Sequence, residues 1–399
     1  MSDEEIEHWR LLPARQQPQW HDASDHVVKS LAALPALVRE DEVDAFRRLL
    51  GEVAAGELCV VQAGDCAEDP EDCVPGRLAV KSELLHGLAA ELAGATGRPA
   101  LMVGRIAGQF AKPRSKATEV VDGVVLPAFR GLMINAPEAD PAARRADPGR
   151  MLVCYEAARA AGAYLREQAA GGPSRRTVWT SHEAVLFDYE VPLVRRTADG
   201  RLLLTSTHWP WVGERTRDVD GAHVRLLASV ANPVACKVGP TMTAPELLRL
   251  CERLDPGREP GRLTLIARLG AGRVEQQLPE LVAAVRAAGH PVIWLCDPMH
   301  GNTVTAPGGL KTRVMTEVVA EIEAFCAAVP AAGGVAGGLH LEATADQVAE
   351  CLWRPSDPGP RHGTAYTTLC DPRLNRGQAL AAVRAWKPAR PTEYAEVSR

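Results

Sequence analysis

From residue 58 onward the chain repeats one pattern: a short β-rich apolar run ends in polar or charged residues and gives way to a stretch of helical period. Eight such runs can be traced, at residues 59–66, 100–105, 177–183, 202–206, 235–239, 263–268, 291–297 and 337–342. Between them lie helix-like stretches such as 79–93, 151–168, 244–254, 274–288 and 314–329. Eightfold strand-helix alternation predicts an α/β chain folded as a (β/α)8 TIM barrel. An open doubly wound sheet would place a glycine-rich phosphate turn after its first strand, and no such turn is present. Residues 1–56 read as an N-terminal helical extension outside the barrel, with a helical stretch at 43–53, and residues 57–399 as the catalytic barrel. That extension is a candidate oligomer contact, and a homo-oligomer is expected.

Composition narrows the class. The chain has 399 residues, 46% hydrophobic and 24% charged, which suits a folded globular protein. A formal net charge of -5 gives no sign of nucleic-acid or polybasic membrane binding, so an anionic ligand must be met locally. The longest uncharged apolar stretch, near residues 324–341, is broken by Pro330 and two glycine pairs, against a membrane span. An acidic start, Met1-Ser-Asp-Glu-Glu5, is unlike a secretory signal, and a cytoplasmic address is expected. The ten cysteines show no metal-type pairing and read as free thiols.

In a barrel the chemistry gathers at the carboxyl ends of the strands. Read there, the mouth holds Cys66, Arg105, Glu183, Glu214, Arg215, Lys237, Arg268, His300 and Glu342. A lone arginine is ordinarily a surface ion pair worth about 0–1 kcal/mol. Arg105, Arg215, Lys237 and Arg268 at successive strand ends instead predict an anion site for phosphate or carboxylate. Lys112, Arg114 and Ser115, in a proline-interrupted loop after the second run, add a second phosphate grip. Two anion clusters at one mouth call for two phosphorylated small molecules or one ligand with two acidic groups. Cys66, His300 and Glu342, with Asp371 as a fourth, form a soft-to-hard ligand set suited to a divalent first-row metal acting as a Lewis acid, whether manganese, cobalt, iron or zinc. A Schiff-base role for Lys237 is disfavoured by its cationic neighbours. Serine-hydrolase and zinc-protease motifs are absent from the sequence.

Several segments together resemble the type II (plant-like) 3-deoxy-D-arabino-heptulosonate 7-phosphate (DAHP) synthases. They are Gly64-Asp-Cys-Ala-Glu68, Gly104-Arg-Ile-Ala-Gly-Gln109, Lys112-Pro-Arg-Ser115, Thr180-Ser-His-Glu183, His208-Trp-Pro-Trp-Val-Gly-Glu-Arg-Thr-Arg217, Lys237-Val-Gly-Pro240, Cys296-Asp-Pro-Met-His-Gly-Asn302, His340-Leu-Glu342 and Cys370-Asp-Pro-Arg-Leu-Asn375. The resemblance spans nearly the whole chain. It implies a metal-dependent condensation of phosphoenolpyruvate with erythrose 4-phosphate. Cys66, His300, Glu342 and Asp371 would hold the metal, with manganese or cobalt favoured. Arg105, Glu214, Arg215, Lys237 and Arg268 would surround phosphoenolpyruvate, with Lys237, Glu214 and Arg215 expected to carry the catalytic work; a proton-donor role for Lys237 is a further expectation from its place in the cage, not from the resemblance. Lys112, Arg114 and Ser115 would contact the aldose phosphate, and Glu183, Trp211 and Lys311 would support the mouth. Longer relatives carry an extra helical pair between the second and third barrel strands that helps form aromatic inhibitory sites. Here Arg105 and Glu183 are only 78 positions apart, which predicts the short, feedback-insensitive form, as expected in specialised metabolism. A relative using an amino or imino tetrose would share these motifs, whereas a silent metabolite-binding barrel would lack ligands that this chain retains. Chorismate mutase, a partner of some longer relatives, has no sequence signal here.

Overall fold

The computed structural model describes Trp9 and residues 12–121, 123–169, 171, 174–361, 363 and 365–387; the acidic start lies outside them. Eight parallel strands close into a barrel: β1 Cys59–Gly64, β2 Ala100–Arg105, β3 Val178–Glu183, β4 Trp209–Val212, β5 Val234–Val238, β6 Leu263–Ala267, β7 Ile293–Cys296 and β8 Val335–Glu342. Their order around the barrel follows the sequence, and β8 pairs with β1 through Val60↔Gly338 to Gly64↔Glu342. Strand periodicity sorts the side chains into two sets. Val61, Met102, Val178, Cys236, Leu265, Trp294 and Leu339 pack outward with the helices. Val60, Leu101, Val103, Trp179, Trp209, Trp211, Ile266, Ile293 and Leu295 fill the interior. Among the described residues no helix is long and apolar enough to cross a membrane, and all ten cysteines are free.

Nine helices of eight or more residues accompany the strands among the described residues: α1 Asp25–Ala33, α2 Glu40–Ala54, α3 Pro75–Thr96, α4 Arg150–Gln168, α5 Ala222–Ser229, α6 Ala244–Leu254, α7 Val274–Ala287, α8 Met315–Ala331 and α9 Arg376–Arg384. The stretches expected at 244–254, 274–288 and 314–329 match α6, α7 and α8 to within two residues. Thr243 caps α6 by accepting from the Glu246 N–H. The N-terminal extension lies directly against the barrel. Phe46, Leu50 and Val53 of α2 are fully buried and join the interior cluster, with the Phe46 ring 4.9 Å from Trp179 and 5.5 Å from Trp209. One end of the barrel is thereby closed by apolar packing, leaving chemistry to the other.

The fourth strand departs from the sequence expectation. Leu202–Leu204 is a strand, but it pairs antiparallel with Val194–Arg196 outside the barrel. The barrel strand is Trp209–Val212, joined to β3 through Ser181↔Trp209 and to β5 through Trp211↔Ala235. Pro210 lies within it and removes a ladder donor, which argues against a central strand in any sequence reading. Two buried tryptophans flanking that proline supply the interior packing instead. Glu214 and Arg215 still follow the carboxyl end of the fourth strand, so their expected place at the mouth is unaffected.

Candidate active site

Register brings the strand-end side chains together. Gly64, at the end of β1, sits between Glu342 of β8 and Arg105 of β2 in the ladder. Its φ is +151°, and a Cβ there would lie 2.9 Å from the Arg105 carbonyl oxygen. Only glycine fits between the two neighbours, whose side chains meet at 3.2 Å, Arg105 Nη2 to Glu342 Oε1.

The four expected metal ligands converge here. Cys66 Sγ lies 3.4 Å from Asp371 Oδ2, and His300 Nε2 lies 3.0 Å from Glu342 Oε1. Ligand atoms of Cys66, Glu342 and Asp371 fall within 4.8 Å of one another. The Lys112 ammonium touches Cys66 Sγ and stands 2.8 Å from Asp371 Oδ2 and 3.6 Å from Glu342 Oε1. Burial alone would discharge Lys112, but Asp371, Cys66 and Glu342 overcome it and hold the amine well above its ordinary range. Burial likewise pushes the Glu342 carboxyl up, and His300, Lys112 and Arg313 more than reverse that, keeping it ionised. The two buried carboxylates are balanced here by cationic side chains, with Lys112 standing among the ligand atoms themselves.

The supporting side chains fit a metal centre. Asp297 Oδ2 lies 2.8 Å from His300 Nδ1, which leaves Nε2 facing Glu342, the carboxylate-imidazole arrangement that orients a metal-binding histidine. Arg313, fully buried, donates from Nη2 to Glu342 Oε2 at 2.7 Å and from Nε to the Met299 carbonyl at 2.9 Å, and its Nη1 meets the Pro372 carbonyl. It ties the segments carrying three of the four ligands. A thiol, an imidazole and two carboxylates so braced fit a divalent first-row cation.

Beside this cluster opens a cavity of ≈ 710 Å³. Every site residue expected from the sequence lines it except Cys66 and Glu342, which lie at its floor behind Lys112. Arg268 donates to the His300 carbonyl at 2.7 Å and stands 3.9 Å from Glu214 Oε2, while Lys237 pairs with Asp297. Burial drives the Lys237 amine down, Asp297 pushes it back and Arg105 lowers it again, leaving it at about 8. The buried Nε of Arg268 makes no hydrogen bond among the described residues. A donor left over in a cationic cage suits an anion. A second cavity, ≈ 250 Å³, lies against Leu37, Glu42, Trp179 and His208 and holds none of the expected site residues.

The loop after β2 divides in a way its composition does not reveal. Lys112 turns into the metal-type cluster, whereas Arg114 and Ser115 stay at the rim. Arg114 Nη2 pairs with Glu119 at 2.7 Å, and Ser115 Oγ accepts from Arg215 Nη2 at 2.5 Å. Lys311 reaches Asp371 Oδ1 at 2.7 Å, and Trp211 lies under Arg105, 5.4 Å from ring centroid to guanidinium carbon. Glu183, whose carboxyl is raised by burial, donates its backbone N–H to Gln109 Oε1 at 3.1 Å. Sequence reasoning passed over Asp297, Arg313 and His340. Asp297 carried a usable signal, since it directly follows the seventh strand; the other two act through neighbours and leave none.

A family model described as the class-II DAHP synthetase family matches residues 4–177 and 173–385. The chain belongs to that family. A Pseudomonas fluorescens protein described as a probable phospho-2-dehydro-3-deoxyheptonate aldolase is 50% identical over 394 residues, covering 96% of each chain. The Streptomyces coelicolor phospho-2-dehydro-3-deoxyheptonate aldolase is 39% identical over 424 residues, covering 93% of this chain and 94% of its own. The Mycolicibacterium smegmatis enzyme of the same name is 36% identical, covering 92% and 90%. A solved phospho-2-dehydro-3-deoxyheptonate aldolase from Francisella tularensis superposes with a TM-score of 0.56 at 12% identity, covering 93% of this chain and 99% of its own, a likeness of fold. Family membership agrees with the resemblance read from the motifs.

Proposed function

We propose that this class-II family member condenses phosphoenolpyruvate with erythrose 4-phosphate, releasing DAHP and inorganic phosphate, with a divalent metal, manganese or cobalt, at Cys66, His300, Glu342 and Asp371. The observation that carries this is the placement of a sulfur and carboxylate cluster, Cys66, Glu342 and Asp371, with His300 Nε2 3.0 Å from Glu342, directly beside a cavity lined by the cationic side chains Arg105, Arg215, Lys237 and Arg268. When bound, the metal supplies Lewis-acid polarisation of the aldehyde. The protein's own groups do the rest. Arg105, Arg268 and Arg215 hold the phosphate and carboxylate of phosphoenolpyruvate so that its C3 faces the aldehyde carbon, a near-attack arrangement. Lys237, with an amine near 8, carries a proton it can give to the aldehyde oxygen as the carbon-carbon bond forms. Water then adds at C2 of phosphoenolpyruvate and the phosphate departs, its negative charge met by the same cage. Arg114 and Ser115 at the rim receive the phosphate of the tetrose.

Purified protein supplied with both substrates and manganese should release one phosphate per phosphoenolpyruvate consumed and yield a seven-carbon sugar acid, identified by mass. Phosphate release that proceeds equally without the tetrose would show a phosphatase and refute the condensation.

A further inference from the structure

Barrel interiors are filled with bulky apolar side chains, yet this one buries Gln62, Ser181 and His340 completely, on β1, β3 and β8. Burying polar groups costs free energy unless each finds a partner. Here each does, in one directed chain. Ser181 Oγ donates to the Gly104 carbonyl at 3.0 Å, one residue before Arg105, and accepts from Gln62 Nε2 at 2.9 Å. Gln62 Oε1 lies 2.6 Å from His340 Nδ1, across the register pair Gln62↔His340. His340 Nε2 lies 2.7 Å from Arg105 Nη1.

A guanidinium only donates, so His340 Nε2 must accept, and the proton of the ring must sit on Nδ1, where Gln62 Oε1 receives it. The direction of every bond in the chain is thereby fixed. We infer that Gln62, Ser181 and His340 are positioning residues that set the Arg105 guanidinium for phosphoenolpyruvate, resting on the reading that the cage holds that substrate.

Arg105 has five N–H groups. Nε donates to the Asp65 carbonyl at 2.9 Å, Nη2 to the Cys66 carbonyl at 3.3 Å and to Glu342 Oε1 at 3.2 Å, and Nη1 to His340. One Nη1 N–H is left for the cavity that Arg105 lines. Trp211 packs edge-on to His340, ring centroids 5.4 Å apart at 89°, and also lies against Arg105, holding both planes. With Gln62 Oε1 removed, the ring is free to carry its proton on Nε2, where it would oppose Arg105 donor to donor and displace the guanidinium. An apolar filling would pack as well but would leave the guanidinium unaimed, which is why a polar ladder belongs here.

The test combines a spectrum with kinetics. Nitrogen-15 histidine spectra of the full-length protein, with His340 assigned by its loss in His340→Gln, should show the neutral Nδ1-protonated form, and Gln62→Met should shift it toward the Nε2-protonated form. His340→Gln, whose side-chain oxygen can replace Nε2 as acceptor, should keep KM for phosphoenolpyruvate within about threefold. His340→Leu should raise it about tenfold or more, leaving KM for erythrose 4-phosphate unchanged. An Nε2-protonated His340 in the native protein overturns the inference whatever the substrate proves to be. Native turnover with an unmoved phosphoenolpyruvate KM in both His340→Leu and Gln62→Met overturns it while the functional reading stands. Failure of the native, metal-loaded protein to condense the substrates brings down that reading, and the histidine spectrum still decides the ladder.

Discussion

Arg313→Met removes the counter-ion of Glu342 while keeping a side chain of similar length. Both members of the pair are fully buried and meet at 2.7 Å. Breaking a buried pair by removing one partner costs about 3–5 kcal/mol, because the other charge stays buried. Glu342 retains Arg105 at 3.2 Å, His300 at 3.0 Å and Lys112 at 3.6 Å, which places this case at the low end, about 3 kcal/mol. With an unfolding entropy of about 2.1 cal/mol/K per residue over a chain of 399 residues, that loss corresponds to a fall in Tm of ~4 °C. The same side chain braces the segments bearing His300, Glu342 and Asp371, so metal affinity should weaken about 10–100-fold. Thermal melts of chelated protein and a manganese titration measure the two effects separately. Arg313→Lys, which keeps the charge but loses the fork, should fall between. A variant that melts with the native protein and binds manganese as tightly would refute the argument that Arg313 organises the ligand set.

Lys237 is charged below about pH 8 and loses its proton as pH rises through that value, so kcat/KM for phosphoenolpyruvate should fall above it; a profile flat to about pH 9.5 contradicts the role. Lys237→Met should cost about 100-fold or more in kcat/KM, whereas near-normal turnover removes Lys237 from the chemistry. Phe46→Ala, which hollows the closed end of the barrel, should destabilise the fold by about 3–5 kcal/mol with both KM values unchanged, as read from urea melts and steady-state kinetics. Between β2 and β3 the described residues hold one antiparallel hairpin and one long helix, α4, rather than an added helical pair. Phenylalanine or tryptophan should therefore shift KM by less than the ~5-fold typical of allosteric coupling, and strong inhibition in an initial-rate assay would show an effector site elsewhere.

Seven of the eight barrel strands were legible because each is an apolar run with a charged residue at or next to its carboxyl end, a local signal. The fourth was not, since Pro210 carries the mark of a strand breaker and the more regular Leu202–Leu204 lies nearby; its identity depends on tryptophan packing contributed by distant strands. Strand-end position was enough to nominate Cys66, Arg105, Lys237, Arg268, His300 and Glu342, because a barrel delivers every such residue to the same face. It could not divide Lys112 from Arg114 and Ser115. That division follows from the chain path, in which the Lys112 N–H bonds to the Arg130 carbonyl at 2.8 Å. Gln62 and His340 look in sequence like polar interruptions of apolar strands. Their role exists only once the register places them side by side.

The most direct test of the metal centre beside the anion cage is a cobalt titration of the chelated protein, followed by near-ultraviolet absorption. One equivalent of cobalt should produce a thiolate-to-cobalt charge-transfer band, lost in Cys66→Ser and weakened in His300→Ala. Cobalt binding without that band in the native protein, or a band that survives in Cys66→Ser, would contradict the assignment of Cys66, His300, Glu342 and Asp371 as the metal site.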